Sequence, residues 1–405
     1  MPSGTGPTKH DIPFARRRLQ PRAVDVVTRL QEAGFEAYMV GGCVRDLLLG
    51  RLPKDFDVAT SARPTQVRRL FRRSRIIGRR FKIVHVYSGR EIYEVATFRG
   101  VPDGHDEDSA ELIVDDNTFG TSEEDAVRRD FTVNGLFLDP VAGKIIDWVG
   151  GMDDIKARRL RSIGDPEQRF REDPVRILRL IKFMRRLQLE PGSAEIDAAN
   201  KLVGHLSKAA APRVVEEVFR LMLTGDMEGV LEDLIALDAL RRALPDLAGW
   251  LAANPRGVDN LAARMRVLDE WVREGGEPCY SLRLAVLYGI MAEAEMDSAT
   301  ASVQDRDPAQ ALFEVFAVLQ ARARLPRWAL SRAKTLVKAQ QQLDPPAARG
   351  SKRRRRRMDP EALIYQEWFP DALEYLRCRL EAAGRDLSPY DEWHERALSL
   401  APEGR

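Results

Sequence analysis

"VGGCVRDLLLGRLPKDFDVAT", residues 40–60, is the stretch on which the fold turns. An apolar, strand-like run from Ala37 to Val40 ends in Gly41-Gly42, and a helical run, Val44–Leu49, follows until Gly50. Phe56–Ala59 then reads as a second strand that opens on Asp55 and Asp57. On a strand, residues i and i+2 point to one face, so both carboxylates would share a site with Cα atoms about 6–7 Å apart. Like charges held that close repel. Either the pair is a solvated Asp-Phe-Asp beside a loop, or it clamps a cation. Mg²⁺ suits the second reading, because it takes a few carboxylates together with substrate phosphates. A two-ion site of that kind supports in-line phosphoryl or nucleotidyl transfer. Gly41-Gly42, at a strand-to-helix turn, add backbone N–H groups that can face a phosphate with no Cβ in the way. Arg45 and Asp46 follow on the helix.

Further motifs lie downstream. Glu94, in "YEVATFR" (93–99), alternates with the apolar Tyr93 and Val95, so it faces away from them, to solvent or into the site as a third carboxylate. In "RRDFTVNGLFLDPVAGKIIDWVGG" (128–151), Arg128 and Arg129 can bind triphosphate oxygens in bidentate fashion. Asp130 and Asn134 can hold ribose hydroxyls or support the metal site; salt bridging of Arg to Asp before a strand is the simpler alternative. In "RFREDPVRILRLIKF" (169–183), Asp173-Pro174 is a helix start, with Asp173 as N-cap. Arg176 and Arg179 recur three and six residues on, near one face. An Asp and an Arg so fixed can also read a base edge.

The surrounding chain has 405 residues, enough for two or more domains with real cores. Up to about Gly151 it reads as mixed α/β: helices at Ala23–Ala33 and Thr65–Arg73, a hairpin of Ile83–Tyr87 with Ile92–Thr97, and a strand pair, Val133–Leu138 with Lys144–Trp148. Residues 173–345 show helical periods almost throughout. The expected division is a disordered tail at 1–20, a head at 21–151, a helical neck at 152–220, a helical body at 221–346, and a basic arm with a C-terminal tail at 347–405. Within that last segment Tyr365–Ala383 can form a helix pair that packs on the body.

Composition, 44% hydrophobic and 31% charged, is that of an ordinary globular protein. No apolar run reaches membrane-span length and no secretory h-region opens the chain, so a cytoplasmic location without membrane association is expected. Cys43, Cys279 and Cys378 lack CxxC spacing, which argues against a disulfide framework or a zinc site. His10-Asp11 and His105-Asp106 fall in polar loops and, with five histidines in all, make no metal-ligand set. The net charge is only +2, yet Arg68–Lys82 and Lys352–Arg357 concentrate cations. Such runs are either solvated faces and linkers or a footprint for nucleic acid. The candidate RNA-binding residues are Arg72, Arg73, Arg79, Arg80, Lys82, Arg353, Arg354 and Arg355.

The ordered set of motifs, GG-x-VRD-LLLG…DxD, EVATFR, RRDFTVN, DPVAG…D..GG and EDPVRILR, resembles the class II tRNA nucleotidyltransferase / bacterial poly(A) polymerase superfamily over about residues 20–220. The resemblance implies an α/β nucleotidyltransferase head, built on a small mixed sheet with helices, followed by all-α neck and body domains. It implies Mg²⁺ at Asp55 and Asp57, Glu94 and Asp130 as further catalytic carboxylates, and nucleotide contacts from Gly41, Gly42, Arg45, Asp46, Arg128, Arg129 and Asn134. It implies pairing of Asp173 and Arg176, with Arg179 nearby, to the incoming base. Within the superfamily, "IIGRRFKIVHV" (76–86) is similar to the stretch that marks the bacterial poly(A) polymerases, and the Arg run at 353–357 is similar to their basic tail, although theirs lies closer to the chain end. Untemplated addition of AMP from ATP to RNA 3′ ends is therefore expected, by a monomer with RNA-decay factors as possible partners. CCA addition to tRNA with CTP and ATP is the enzymatic alternative. A non-catalytic RNA-binding protein on a decayed scaffold is the third, disfavoured by the intact carboxylates.

Overall fold

The computed structural model describes residues 6–78, 82–100, 119–301, 308–345 and 359–400. Arg79, Arg80 and Arg353–Arg355, and the acidic stretch at 101–117, lie outside the described residues. Contacts divide the chain into two units. One holds residues up to Arg176 together with Gln188–Leu202; the other holds Ile177–Leu187 and the residues from Val203 on.

Among the described residues the first unit carries an eight-stranded mixed sheet. Its strands are β1 (Thr8–Asp11), β2 (Ala37–Val40), β3 (Asp57–Thr60), β4 (Ser74–Ile77), β5 (Ile83–Ser88), β6 (Glu91–Thr97), β7 (Leu136–Asp139) and β8 (Lys144–Asp147), in the order β1-β8-β7-β2-β3-β6-β5-β4. Only β3 and β6 run parallel. The helices are α1 (Pro21–Glu32), α2 (Gly42–Leu48), α3 (Pro64–Leu70), α4 (Ser122–Val127), α5 (Gly151–Lys156) and α6 (Pro166–Glu172). Next come α7 (Val175–Leu187), which passes into the second unit, and α8 (Ser193–Leu202).

Strand alternation separates two faces. Met39, Val58, Val84, Val86, Tyr93 and Val95 are buried toward the side on which α1 and α3 pack. On the other face Val40, Ala59, Phe98, Ala126, Phe137 and Ile146 form a compact apolar cluster closed by Tyr38 and Trp148. Phe137 and Trp148 meet edge to face at 5.2 Å, a favoured aromatic geometry. This cluster is the floor beside which the polar residues of the site stand.

Several elements depart from the sequence reading. The first 20 residues are not all irregular: Thr8–Asp11 pairs antiparallel with β8, and Asp11 meets Lys144 at 2.8 Å. "TKHD" has no apolar alternation, so only backbone pairing to a neighbouring strand makes it β. Helix α3 stops at Leu70, and Ser74–Ile77 becomes strand β4 because it pairs with β5. Strand β3 begins at Asp57, so Asp55 and Phe56 stand just before it. Residues Val133 and Asn134 sit in a 3-10 turn, Thr132–Asn134, ahead of β7. Inside the expected helical region, β9 (Arg159–Leu160) and β10 (Glu190–Pro191) form a short parallel pair.

The second unit is helical: α9 (Ala211–Leu221), α10 (Met227–Ala236), α11 (Ala239–Ala243), α12 (Pro245–Ala253), α13 (Gly257–Arg273), α14 (Tyr280–Ala301), α15 (Pro308–Ala323), α16 (Arg327–Leu343), α17 (Pro360–Ile364), α18 (Phe369–Ala382) and α19 (Ser388–Leu400). Helix α18 packs on α13, α14 and α16, burying Phe369, Tyr375 and Leu376. An ionic knot closes that core, with Glu293 2.7 Å from Arg264 and 3.0 Å from Arg379. Among the described residues no helix is long and apolar enough to cross a membrane.

Candidate active site

The register of three strands assembles the carboxylates. Val40 pairs with Asp57, and Val58 pairs with Val95 on the parallel neighbour, so Glu94 lies beside Asp57 on the same face. Asp55 stands two residues before Asp57, exposed at the strand entrance. Asp57 keeps solvent access at its tip, but its surroundings are crowded by protein. That desolvation, with the charges of Glu94 and Asp55, pushes its carboxyl up to about 6, and Arg129 pulls it back. Glu94 is also within 3.4 Å of the His85 imidazole on β5. Among the described residues no three His, Cys, Asp or Glu side chains close into a metal-ligand set. The donor set still suits Mg²⁺: hard oxygens, two or three carboxylates in mutual repulsion, and open space for phosphate oxygens.

Gly41 turns the chain from β2 into α2 with φ +70, a conformation that L side chains rarely adopt. A Cβ there would come within 3.0 Å of Arg129 Nη1. The glycine therefore lets the Arg129 guanidinium lie against the backbone just where β2 meets Asp57. Arg129 is held from both sides. Nη2 donates to Asp125 Oδ2 at 2.8 Å, and the guanidinium covers the Phe137 ring at 5.0 Å. Arg128 donates to the other Asp125 oxygen at 3.1 Å. Burial alone would raise the Asp125 carboxyl, but Arg129 and Arg128 together hold it below its ordinary value.

Arg45 and Asp46 do not reach outward. Both are buried, and Arg45 donates twice to Asp46 Oδ1 (2.9 and 2.7 Å) and once to Asn134 Oδ1 (2.6 Å). Asn134 passes the chain on, donating to Asp130 Oδ1 at 2.9 Å; that oxygen also takes the Phe131 N–H at 2.8 Å. The four side chains form one buried polar network of hydrogen bonds 2.6–2.9 Å long. It fixes the 3-10 turn rather than offering Arg45 as a free cation.

Sequence reasoning missed Arg169. Its Nη2 donates to the carbonyls of Arg128, at 2.6 Å, and Arg129, at 2.5 Å, while Nη1 donates to Glu172 at 3.0 Å. Arg176 joins from α7, donating to the Arg169 carbonyl at 2.9 Å and to Glu172 at 3.2 Å. The spacings Asp125-Arg128-Arg129 and Arg169-Glu172-Arg176 are i+3 and i+4 or i+7, so a helical-pair signal was present in the sequence. Asp173 is the residue that ends α6, not a residue of α7's first turn; its Oδ1 takes the Val175 N–H at 3.3 Å, which keeps part of the expected capping role. Arg179 falls in the second unit, where it lies 4.0 Å from Glu217. Arg72, Arg73 and Lys82 are exposed.

The elements thus bring Asp55, Asp57, Glu94, Gly41, Gly42, Arg128, Arg129, Asp130 and Asn134 to one region, with Asp173 and Arg176 tied to it through Arg169 and Glu172. Residues 37–161 match the poly A polymerase head domain. A poly(A) polymerase I of Salmonella typhimurium is 41% identical over 248 residues, which cover 60% of this chain and 53% of that protein. A CCA-adding enzyme of Lactobacillus delbrueckii subsp. bulgaricus is 38% identical over 234 residues, 56% of either protein. Among solved structures, the Bacillus stearothermophilus CCA-adding enzyme in complex with CTP matches with a TM-score of 0.63 at 26% identity, over 94% of this chain and 84% of that one. The chain spans about half the length of the curated relatives it matches.

Proposed function

Since residues 37–161 belong to the poly A polymerase head-domain family, we propose that this chain adds AMP from ATP to RNA 3′ ends without a template. The observation that carries the reading is the strand register that sets Asp57 beside Glu94 and next to the Gly41 turn. Asp55 and Asp57 would hold Mg²⁺, with Glu94 as a third carboxylate. A cation bound there supplies acidification of the RNA 3′-hydroxyl and neutralisation of the triphosphate. The 3′-oxygen attacks the α-phosphorus of ATP, the bond to the β-phosphate breaks, and pyrophosphate leaves.

The chain's own groups position the reactants. Arg129, fixed by Asp125 and Phe137, presents positive charge beside the carboxylates, where phosphate oxygens collect negative charge. Arg128 flanks it. Arg45 acts as a positioning residue: it locks Asn134, and through it Asp130, in the orientation needed to meet the ribose. Asp173 and Arg176 stand ready to meet the base edge, anchored to the phosphate-facing segment through Arg169.

The preference for adenylate addition rests on the 76–86 stretch and on the poly(A) polymerase I relative at 41% identity. CCA addition is the second reading, favoured by the likeness to the Bacillus stearothermophilus enzyme across 84% of that chain. Extension of a generic oligonucleotide and of a tRNA lacking its CCA end, with Mg²⁺ and each NTP separately, decides between them. Long ladders from ATP alone on the generic RNA are expected. Addition that stops after three nucleotides, on the tRNA only and with both CTP and ATP required, would overturn the reading in favour of CCA addition.

A further inference from the structure

We propose that the sheet face beyond Glu94, carried by β6, β5 and β4, seats the 3′-terminal nucleotides of the acceptor RNA, with a backbone phosphate on Arg75 and a base on Tyr87 and Ile92. The inference rests on the proposed transfer at Asp55 and Asp57, and it assigns the acceptor its side of that site.

Strand register sets one row of side chains across the sheet. Asp57 lies beside Glu94, Glu94 is paired with His85, and His85 with Arg75. Residues directly opposite on neighbouring strands point to one face, so these four share it. Two residues along, Tyr87 is paired with Ile92 on the same face. Helix α3, which packs on β4, β5 and β6, lies on the other face, over Val84, Val86, Tyr93 and Val95. On the carboxylate face the side chains stay open. Arg75 is exposed, His85 and Tyr87 are half-buried, and Ile92 is 53% exposed. An open isoleucine beside a tyrosine is a flat apolar step, and a base stacks on such a sheet surface whatever its identity.

The chemistry decides which reactant takes this half. In-line displacement puts the attacking oxygen and the leaving pyrophosphate on opposite sides of the α-phosphorus. Gly41 and Arg129, on the proposed phosphate side, stand on the β2 flank of Asp57: Val40 pairs with Asp57, and Arg129 lies against the Gly41 turn. The 3′-oxygen then arrives from the β6 flank, and the RNA behind it runs over β5 and β4. Arg75 is three strand spacings from Asp57, about 14 Å, a reach of about four stacked nucleotides at roughly 3.4 Å each. Its charge is available, since among the described residues no carboxylate pairs with it. Glu91, the other acid of β6, alternates to the opposite face, 3.8 Å from Arg22. Beyond Glu94 the face is therefore cationic and apolar, as a single-stranded polyanion with stacking bases requires. A free mononucleotide offers the same base and phosphate, and the test separates the two.

The test is equilibrium binding of a labelled adenylate hexamer RNA, and separately of ATP, across a salt series without transfer. The full chain is compared with R75S, R75K and Y87L, and with R69S, which removes an exposed charge from α3 across the sheet. Loss of one phosphate contact to a single strand lowers the magnitude of the slope of log K against log salt by about 0.7. R75S is expected to show that flattening with weaker RNA binding, and R75K to restore the slope. Y87L is expected to bind RNA at least about fivefold more weakly with an unchanged slope, as loss of a stacked base requires. R69S should match the parent, and ATP affinity should be the same throughout. RNA affinities of R75S and Y87L equal to the parent's would overturn the proposal. So would a loss of ATP binding with RNA binding kept, which would make the face a mononucleotide site, or a loss of RNA binding in R69S alone, which would move the RNA to the other face. A change in sedimentation of Y87L with RNA affinity kept would also overturn it, as the mark of an interface between copies of the chain. Melting temperatures report whether each variant is folded, and R75S and R75K, changed at an exposed position, keep the test decisive if Y87L is not. Because binding needs no reaction, a parent chain that extends no RNA, combined with the expected binding losses, would sink the proposed reaction and leave the RNA face standing.

Discussion

Gly151 lies directly against the Thr132 carbonyl: a Cβ on Gly151 would sit 2.3 Å from that oxygen. The contact links the start of α5 to the 3-10 turn that presents Asn134. Asp147 holds the glycine in place, its carboxylate accepting the N–H groups of Val149, Gly150, Gly151 and Met152 at 2.9–3.1 Å. Gly151→Ala is therefore expected to push the turn away and loosen the Arg45–Asn134–Asp130 network. Overpacking of this kind costs about 1–3 kcal/mol. A fall of several degrees in Tm, with a larger loss of kcat than of RNA affinity, is the expected pattern. An unchanged Tm would show that the turn yields freely and that the close approach is not structural.

Asp57 gives the opposite sign for stability and activity. Asp57→Asn removes a negative charge crowded by Asp55 and Glu94 while keeping the shape. Nucleotidyl transfer should fall at least a hundredfold, since a bound cation contributes several kcal/mol to such reactions. Without divalent cation at pH 7, the variant should melt at or above the parent's temperature. Adding Mg²⁺ should raise the Tm of the parent and not that of the variant, by linkage. A parent Tm indifferent to Mg²⁺ would refute the cation site without any activity assay.

The carboxylates were legible in the sequence because strand alternation and short spacing are local. Asp57 and Glu94 needed only strand alternation and the register that joins two strands already foreseen, whereas Asp55 stands just before β3 and owes its place to short spacing alone. What was missed depends on distant partners. Strand β1 is polar and exists through β8; β4 follows an arginine-rich helix end and exists through β5. The hydrogen bond from Arg45 to Asn134, 89 residues away, is invisible locally. Arg169 escaped for a related reason: its acceptors are backbone carbonyls about 40 residues away, which no side-chain pattern announces.

Arg169 provides a test of how Asp173 and Arg176, proposed to meet the base, are tied to Arg128 and Arg129, proposed to meet the phosphates. One guanidinium spans the Arg128 and Arg129 carbonyls and Glu172, a fork that the single ammonium of Lys cannot match. Arg169→Lys is expected to raise the KM for ATP by roughly tenfold, the equivalent of one charged hydrogen bond, with a smaller effect on kcat. Arg169→Met should do more, because the Arg128 and Arg129 carbonyls lose their donor altogether. Equal KM values for the parent and both variants would show that α6 does not position the nucleotide segment.

Lys182, in the second unit, makes stability depend on pH. It is buried on α7, ion-paired with Glu217, and Glu217 also faces Arg220 at 3.6 Å and Arg179 at 4.0 Å. Desolvation and the neighbouring Arg179 pull Lys182 down to about 8, against the pull of Glu217. Below about 8 the amine is charged in both folded and unfolded chains, and its burial opposes folding. Between about 8 and 10.5 the folded chain has released a proton that the unfolded chain still binds, so stability rises with pH by up to about 3 kcal/mol from this group. Lys182→Met keeps the volume and leaves Glu217 with its two arginines. The difference in unfolding free energy between parent and variant should therefore shift in favour of the parent as pH goes from 7 to 10. Parallel stability–pH curves over that range would mean that Lys182 keeps an ordinary pKa despite its burial.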